Sequence, residues 1–403
     1  MLEAVVSLPF FAVGRREAGL LFLLFITEFA RGAFFFTFLP FWIVNYLGFS
    51  ITVVGFAVSA HYLTETIFKT IAGWEFDRLG RPILVGGLLL SFLSLLVFKS
   101  WPVAPLMIAA AGLFGLGFSP LWLGVMSMVA PLGTPNRATR ISMVFATWLA
   151  GAGSGMVSVN FIMARNYDAV FWVVITLWSL SLILAWFSTE KNKPAPGTTP
   201  DPGSANILKA LKYMATNKTA INILFPGMFL QTLAAGLLLP VLPLFVQHYL
   251  HLNHNQYGLL LTAGGVTAVV SLLPMGYLAD RVALKFLLGA GFGLSSLLLG
   301  CLIYSSGAAG AFLLAVLLGF SYAMILPAWN SLLAKIIPPD SQAMGWGVFA
   351  TIEGLGITVG PALGSVVARS IGMPATLLTT TGVLLIASFF YLFYPLEKVL
   401  AKE

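Results

Sequence analysis

Four charged residues sit deep inside the long apolar runs of the N-terminal half. Glu28 and Arg31 are three residues apart, and Glu65 and Lys69 are four apart. Spacings of three and four put both members of a pair on one helix face. A charge at mid-membrane costs several kcal/mol, so each is a candidate for function. Two chemistries suit such a set. A carboxylate can carry a proton, because burial favours its neutral form and a nearby arginine its charged form. The same groups can hold the hydroxyls of a polar headgroup. Glu28 lies about ten residues into its run, roughly 15 Å deep at 1.5 Å per residue, near the midplane. A self-satisfied structural ion pair is the alternative reading of Glu28 and Arg31, and Lys69 could instead snorkel to the surface.

Aromatic and polar residues extend the set. Trp122 follows Ser119-Pro120, Trp148 lies in the next apolar run, and Trp329-Asn330 follows Leu326-Pro327-Ala328. An indole in a cavity can stack on the CH face of a sugar and donate its N–H to a hydroxyl; packing or interfacial anchoring is the alternative. Glu353 is the deep acid of the C-terminal half. His248, His251 and His254 have poor spacing for one metal face and no carboxylate beside them, so no metal is expected. Neither a nucleophile elbow, a phosphate loop nor a zinc motif is present, so no enzyme is expected.

The elements that must position these residues are membrane helices. The chain is 59% hydrophobic and 9% charged, with mean hydropathy +0.95, where a soluble protein has about a quarter charged residues. A span needs about 20 mostly apolar residues. Twelve candidates are expected: 18–46, 51–72, 83–101, 104–130, 140–164, 169–188, 219–249, 256–278, 284–305, 309–336, 343–368 and 374–395. The expected fold is an all-α integral membrane protein with an N-terminal six-helix bundle (1–188), a cytoplasmic linker (189–218) and a C-terminal six-helix bundle (219–403). Ala205 to Met214 could form a short surface helix. No cleaved leader is expected, and the single cysteine, Cys301, allows no intrachain disulfide.

Lys and Arg orient the spans. With both termini in the cytoplasm, sixteen of them fall on that side and only Lys99, Arg165 and Arg369 outside. The net charge of +7 is then a topology signal; a nucleic-acid surface would need a basic stripe on a soluble face. The halves also repeat. Gly73-Trp-Glu-Phe-Asp77-Arg78-Leu-Gly80-Arg81-Pro82 reads as a short loop between spans two and three, and Gly276-Tyr-Leu-Ala-Asp280-Arg281 is a fainter copy 203 residues on. Leu39-Pro40 answers Leu242-Pro243 at the same offset, which argues an internal duplication. At that offset Glu28 maps to Gln231, Arg31 to Ala234, Glu65 to Ala268 and Lys69 to Leu272. A cavity charged on the N-half side and apolar on the C-half side suits an amphiphile.

Twelve spans, a two-fold repeat, a central linker and the Gly73–Arg81 signature resemble the major facilitator superfamily. The resemblance implies secondary transport by alternating access about a midplane site, with Gly73, Asp77, Arg78, Gly80, Arg81, Asp280 and Arg281 in gating loops; a merely topogenic turn is the alternative. Within the superfamily, Thr27-Glu28-Phe-Ala-Arg31-Gly32, Ser59-Ala-His61-Tyr-Leu-Thr-Glu65, Ser119-Pro120-Leu-Trp122 and Trp346-Gly-Val-Phe349 are similar to the proton-coupled glycolipid flippases of lipoteichoic acid synthesis in Gram-positive bacteria. That implies a diglucosyl-diacylglycerol-type substrate moved to the outer leaflet and no cofactor beyond the proton gradient. It also implies headgroup or proton contacts at Glu28, Arg31, Glu65, Trp122 and Trp148. A monomer in the bacterial plasma membrane is expected, since the sequence gives no sign of an oligomer. Glu65 stands where that group has an aspartate, and Glu353 where it has an uncharged amide. The competing expectation is a multidrug/proton antiporter, which usually shows a Gly-Pro signature in span five; here Ala150-Gly-Ala-Gly-Ser-Gly-Met lacks the proline.

Overall fold

Glycine and proline set the ends and bends of the helices. The structure, a computed structural model, describes residues 14–131, 137–189, 222–223, 225–305, 307–336 and 342–396. The expected linker lies outside these from Glu190 on, as does its surface helix. All regular structure among the described residues is helical. In chain order the helices are α1 (Arg15–Arg31), α2 (Ile51–Leu79), α3 (Arg81–Ser100), α4 (Ala104–Val129), α5 (Arg137–Met163), α6 (Tyr167–Ser188), α7 (Phe225–Leu238), α8 (His254–Ala279), α9 (Leu284–Ile303), α10 (Ala308–Ile336), α11 (Gln342–Ser370) and α12 (Met373–Phe393). Ten are long and apolar enough to cross a membrane, and α7 with its continuation Leu242–His248 makes an eleventh. The 29-residue α11 has the length of a twelfth, with Glu353 and six glycines diluting its apolar character.

The two repeat-related first helices are both irregular near their Leu-Pro pair. α1 continues through wide π-helical turns at Gly32–Phe38 and Trp42–Tyr46, on either side of Pro40. α7 bends by 43° before Leu242–His248, where Pro240 and Pro243 lie. Proline has no N–H for the helical ladder and clashes with the carbonyl four residues back, so the chain widens or breaks there.

The expected loop at residues 73–82 is corrected by the structure. α2 runs on to Leu79 and α3 starts at Arg81, so the turn is Gly80 alone, at φ +64° and ψ −124°. A side chain strongly disfavours that backbone conformation, and Pro82 supplies the preset start of α3. Charges in the signature do not end α2, because a helix satisfies its own backbone after it leaves the apolar layer.

The chain divides into two compact units, one of Met1–Phe38 with Thr64–Pro200 and one of Leu39–Leu63 with Asp201–Glu403. The first has an aromatic core. Phe34 lies edge-on to Phe98 at 5.2 Å and Phe171 at 5.7 Å, and Phe114 meets Phe35 at 4.9 Å and Trp178 at 4.8 Å. Its α1 and α5 touch through backbone: a Cβ on Gly32 would stand 2.4 Å from the Ala152 carbonyl oxygen, and one on Gly155 2.1 Å from that of Phe29. In the second unit, Gly356, Gly360 and Gly364 of α11 meet α7 in the same way, Gly360 against Gly236. Small residues allow such contact where lipid supplies no hydrophobic drive between helices. There too Ser59 Oγ accepts the Ala362 N–H at 3.0 Å, next to Pro361, which has no N–H of its own, and Phe41 packs edge-on to His254 at 4.7 Å.

Candidate functional site

α1 and α2 bring the four sequence-predicted charges together within the first unit. Glu28 is fully buried and Arg31 is 4% exposed. Arg31 donates through Nη2 at 2.8 Å and Nε at 3.0 Å to one oxygen of Glu28, Oε2. Its Nη1 reaches Glu65 Oε2 at 3.4 Å. Lys69 Nζ lies 3.8 Å from Glu65 Oε1, one helical turn on. Lys69 also stands 5.4 Å from the centre of the Trp122 ring, on α4. The result is a chain of alternating sign, Glu28–Arg31–Glu65–Lys69, with no net charge.

One atom in this chain is left over. Glu28 Oε1 is buried and has no hydrogen-bond partner. A buried acceptor without a partner costs about 1–3 kcal/mol, more when charged. A proton on the acid, or a hydroxyl donating to it, relieves that cost. α5 holds Glu28 from behind: a Cβ on Gly151 would stand 3.0 Å from Glu28 Cβ and 2.6 Å from the Phe25 carbonyl oxygen. Gly153, two residues on, faces open space.

The other candidates are dispersed. Trp148 is half-buried on α5, and Trp122 meets Phe145 edge-on at 5.3 Å. Gln231 is half-buried on α7, Asn330 exposed on α10 and Glu353 exposed on α11, close enough to Tyr322 to interact electrostatically. Trp329 does not face a cavity. It is 3% exposed in the core of the second unit, 6.2 Å from Tyr391 and edge-on to it. The phenol of Tyr391 reaches across to the Ile223 carbonyl oxygen at 3.1 Å, so that region is filled by packing. Sequence reasoning missed Phe36 and Phe118, whose rings flank Arg31. Phenylalanine is common in this chain, and no spacing marks those two.

The signature loops carry a duplicated contact. Arg78 lies over Trp74 at 4.5 Å, and Arg281 over Tyr277 at 3.8 Å. Both pairs are four residues apart, and both members keep the 203-residue offset. Gly73 faces Leu123 of α4, Asp280 caps α8, and the Asp77 side chain is outside the described residues. Arg81 donates to the Thr189 carbonyl oxygen and stands 5.4 Å from the Trp186 ring, tying the start of α3 to the end of α6.

The chain is 28% identical over 356 residues to the proton-coupled antiporter flippase LtaA of Staphylococcus saprophyticus, covering 86% of each chain. It is 26% identical over 355 residues to the protein of that name from Staphylococcus aureus, covering 87% of each. Among solved structures, the nucleoside transporter NupG superposes with TM-score 0.74 at 14% identity, over 94% of this chain and 99% of that one. A POT family transporter superposes with TM-score 0.70 at 15% identity, over 94% and 96%. Both share the fold. The sequence profile of the Major Facilitator Superfamily matches twice, over residues 20–225 and again over 224–403. With regular structure that is all helical among the described residues, a repeat that returns the same Arg-aromatic contact, and one match for each copy, this protein belongs to the Major Facilitator Superfamily of membrane transporters.

Proposed function

We propose that this transporter is a proton-coupled flippase working by alternating access. Its substrate is a diglucosyl-diacylglycerol-type glycolipid, carried from the cytoplasmic to the outer leaflet of a bacterial plasma membrane by a monomer with both termini in the cytoplasm. The observation that carries this reading is Glu28 Oε1, a buried carboxylate oxygen without a partner. A proton satisfies it by making the acid neutral. A headgroup hydroxyl satisfies it by donating to the carboxylate. The two occupancies exclude each other, which is the requirement for exchange. When Glu28 takes the proton, Arg31 keeps Glu65 as its anionic partner, 3.4 Å away.

Further support comes from asymmetry. The C-half positions that answer the charge chain are Gln231, Ala234, Ala268 and Leu272. A polar headgroup would rest among Glu28, Arg31, Glu65 and Trp122, and acyl chains along the apolar C-half. Names of relatives, proton-coupled antiporter flippases, agree with this reading. No cofactor takes part; the proton gradient is the energy source.

The test is movement of a fluorescent diglucosyl-diacylglycerol in proteoliposomes, with and without a pH gradient, for wild type and Glu28→Gln. Gradient-driven flipping is expected in wild type and not in the variant. Flipping indifferent to gradient and variant would remove the proton from the mechanism. No flipping by folded protein would redirect the search to lipophilic drugs.

A further inference from the structure

The charge chain is flanked by rings. The guanidinium carbon of Arg31 lies 4.7 Å from the centre of the Phe118 ring and 5.5 Å from that of Phe36. Phe36 sits on the widened turns that follow Arg31, and Phe118 on α4. Phe118 is 2% exposed and locked in place. It stacks on Phe114 at 6.0 Å and leans on Trp178 at 6.1 Å. Trp178 is fixed in turn by its indole N–H, which donates to the Leu88 carbonyl oxygen at 2.9 Å.

A ring face attracts a cation within about 6 Å, more strongly where water is excluded. Arginine cannot shed its proton in a protein. While Glu28 is ionised, its carboxylate is the main counter-charge for Arg31. Once Glu28 is neutral, Glu65 and the two ring faces still act on it. We propose that Phe118, with Phe36, is a positioning cradle that stabilises the Arg31 cation when Glu28 carries the proton, and so sets the pH at which exchange switches. The proposal rests on the proton-coupled reading above. Charged groups facing Arg31 include Glu28 of its own helix and Glu65 of α2, with Lys69 behind Glu65. α4 presents the Phe118 ring, and α5 presents the backbone of Gly151 to Glu28.

Replacing Phe118 by leucine would confound ring loss with packing loss. Phenylalanines bearing one, two or three fluorines at position 118 keep the shape and progressively weaken the ring face. In full-length reconstituted protein, the infrared band of the protonated Glu28 carboxyl, identified by its absence in Glu28→Gln, is followed against pH. The midpoint is expected to fall stepwise along the series, by about one pH unit in all, a tenfold loss of proton affinity. The pH profile of gradient-driven flipping should move with it. A midpoint unmoved by fluorination, or no titrating band in wild type, overturns the cradle. Absence of lipid movement, with the band still following the series, would instead sink the flippase reading and leave the cradle standing.

Discussion

Glu28 and Arg31 form a pair whose two members are unequal in what their loss would leave behind. Glu28→Gln leaves Arg31 with Glu65 at 3.4 Å and the Phe118 face at 4.7 Å. Arg31→Met leaves two carboxylates without their shared cation, one of them fully buried. Breaking a buried pair so that a charge is stranded costs about 3–5 kcal/mol. Thermal unfolding of purified protein should therefore show Arg31→Met destabilised by about that amount, and Glu28→Gln by about 1 kcal/mol, the scale of one ordinary hydrogen bond. Adding Glu28→Gln to Arg31→Met should recover part of the loss, because one stranded charge disappears. Equal destabilisation by the two single variants, with simple addition in the double, would mean that the chain is not coupled as its distances indicate.

At the scale of elements, the site depends on how closely α5 backs α1. Gly151→Ala would set a methyl 2.6 Å from the Phe25 carbonyl oxygen and 3.0 Å from Glu28 Cβ, whereas Gly153→Ala meets nothing within 4 Å. Overpacking costs about 1–3 kcal/mol. Gly151→Ala should lower the unfolding temperature and slow exchange at least severalfold, while Gly153→Ala should leave both unchanged. The single-residue turn between α2 and α3 gives a second comparison. Gly80→Ala forces a side chain onto φ +64°, at a cost of about 1–3 kcal/mol; Gly86→Ala, in α3 and facing open space, should be silent in the same unfolding measurement. These contacts also show what was legible in sequence. Apolar runs gave the helices, because lipid demands self-satisfied backbone along the whole span. Spacings of three and four gave the faces of Glu28–Arg31 and Glu65–Lys69. Three features were not legible. The extension of α2 to Leu79 follows from helix continuity beyond the apolar layer, which hydropathy does not report. The burial of Trp329 depends on Tyr391, more than sixty residues away in the chain. The ring of Phe118 meets Arg31 only through the α1–α4 contact, and no local pattern encodes that.

At the scale of the whole molecule, the scaffold is duplicated and the chemistry is not. Leu-Pro irregularity, glycine seam and Arg-aromatic contact recur in both halves, while Glu28, Arg31, Glu65 and Lys69 have no charged counterparts. A parallel duplication of six spans makes a strict demand: any two positions related by the repeat face the same side of the membrane. Trp101 and Tyr304 are such a pair, 62% and 82% exposed after α3 and α9, and Leu79 and Val282 are another, 50% and 38% exposed, at the last residue of α2 and just past α8. Both keep the 203-residue offset. Because Cys301 is the sole cysteine, Cys301→Ser supplies a clean background for cysteines placed singly at these four sites. With a membrane-impermeant maleimide on intact cells, Trp101→Cys and Tyr304→Cys should label, and Leu79→Cys and Val282→Cys should label only after permeabilisation. The opposite pattern would invert the orientation drawn from Lys and Arg, and with it the direction of the proposed lipid movement. Trp101 and Tyr304 on opposite sides would be more serious: an odd number of spans would separate them, and the repeat could no longer explain why only one half carries the charges.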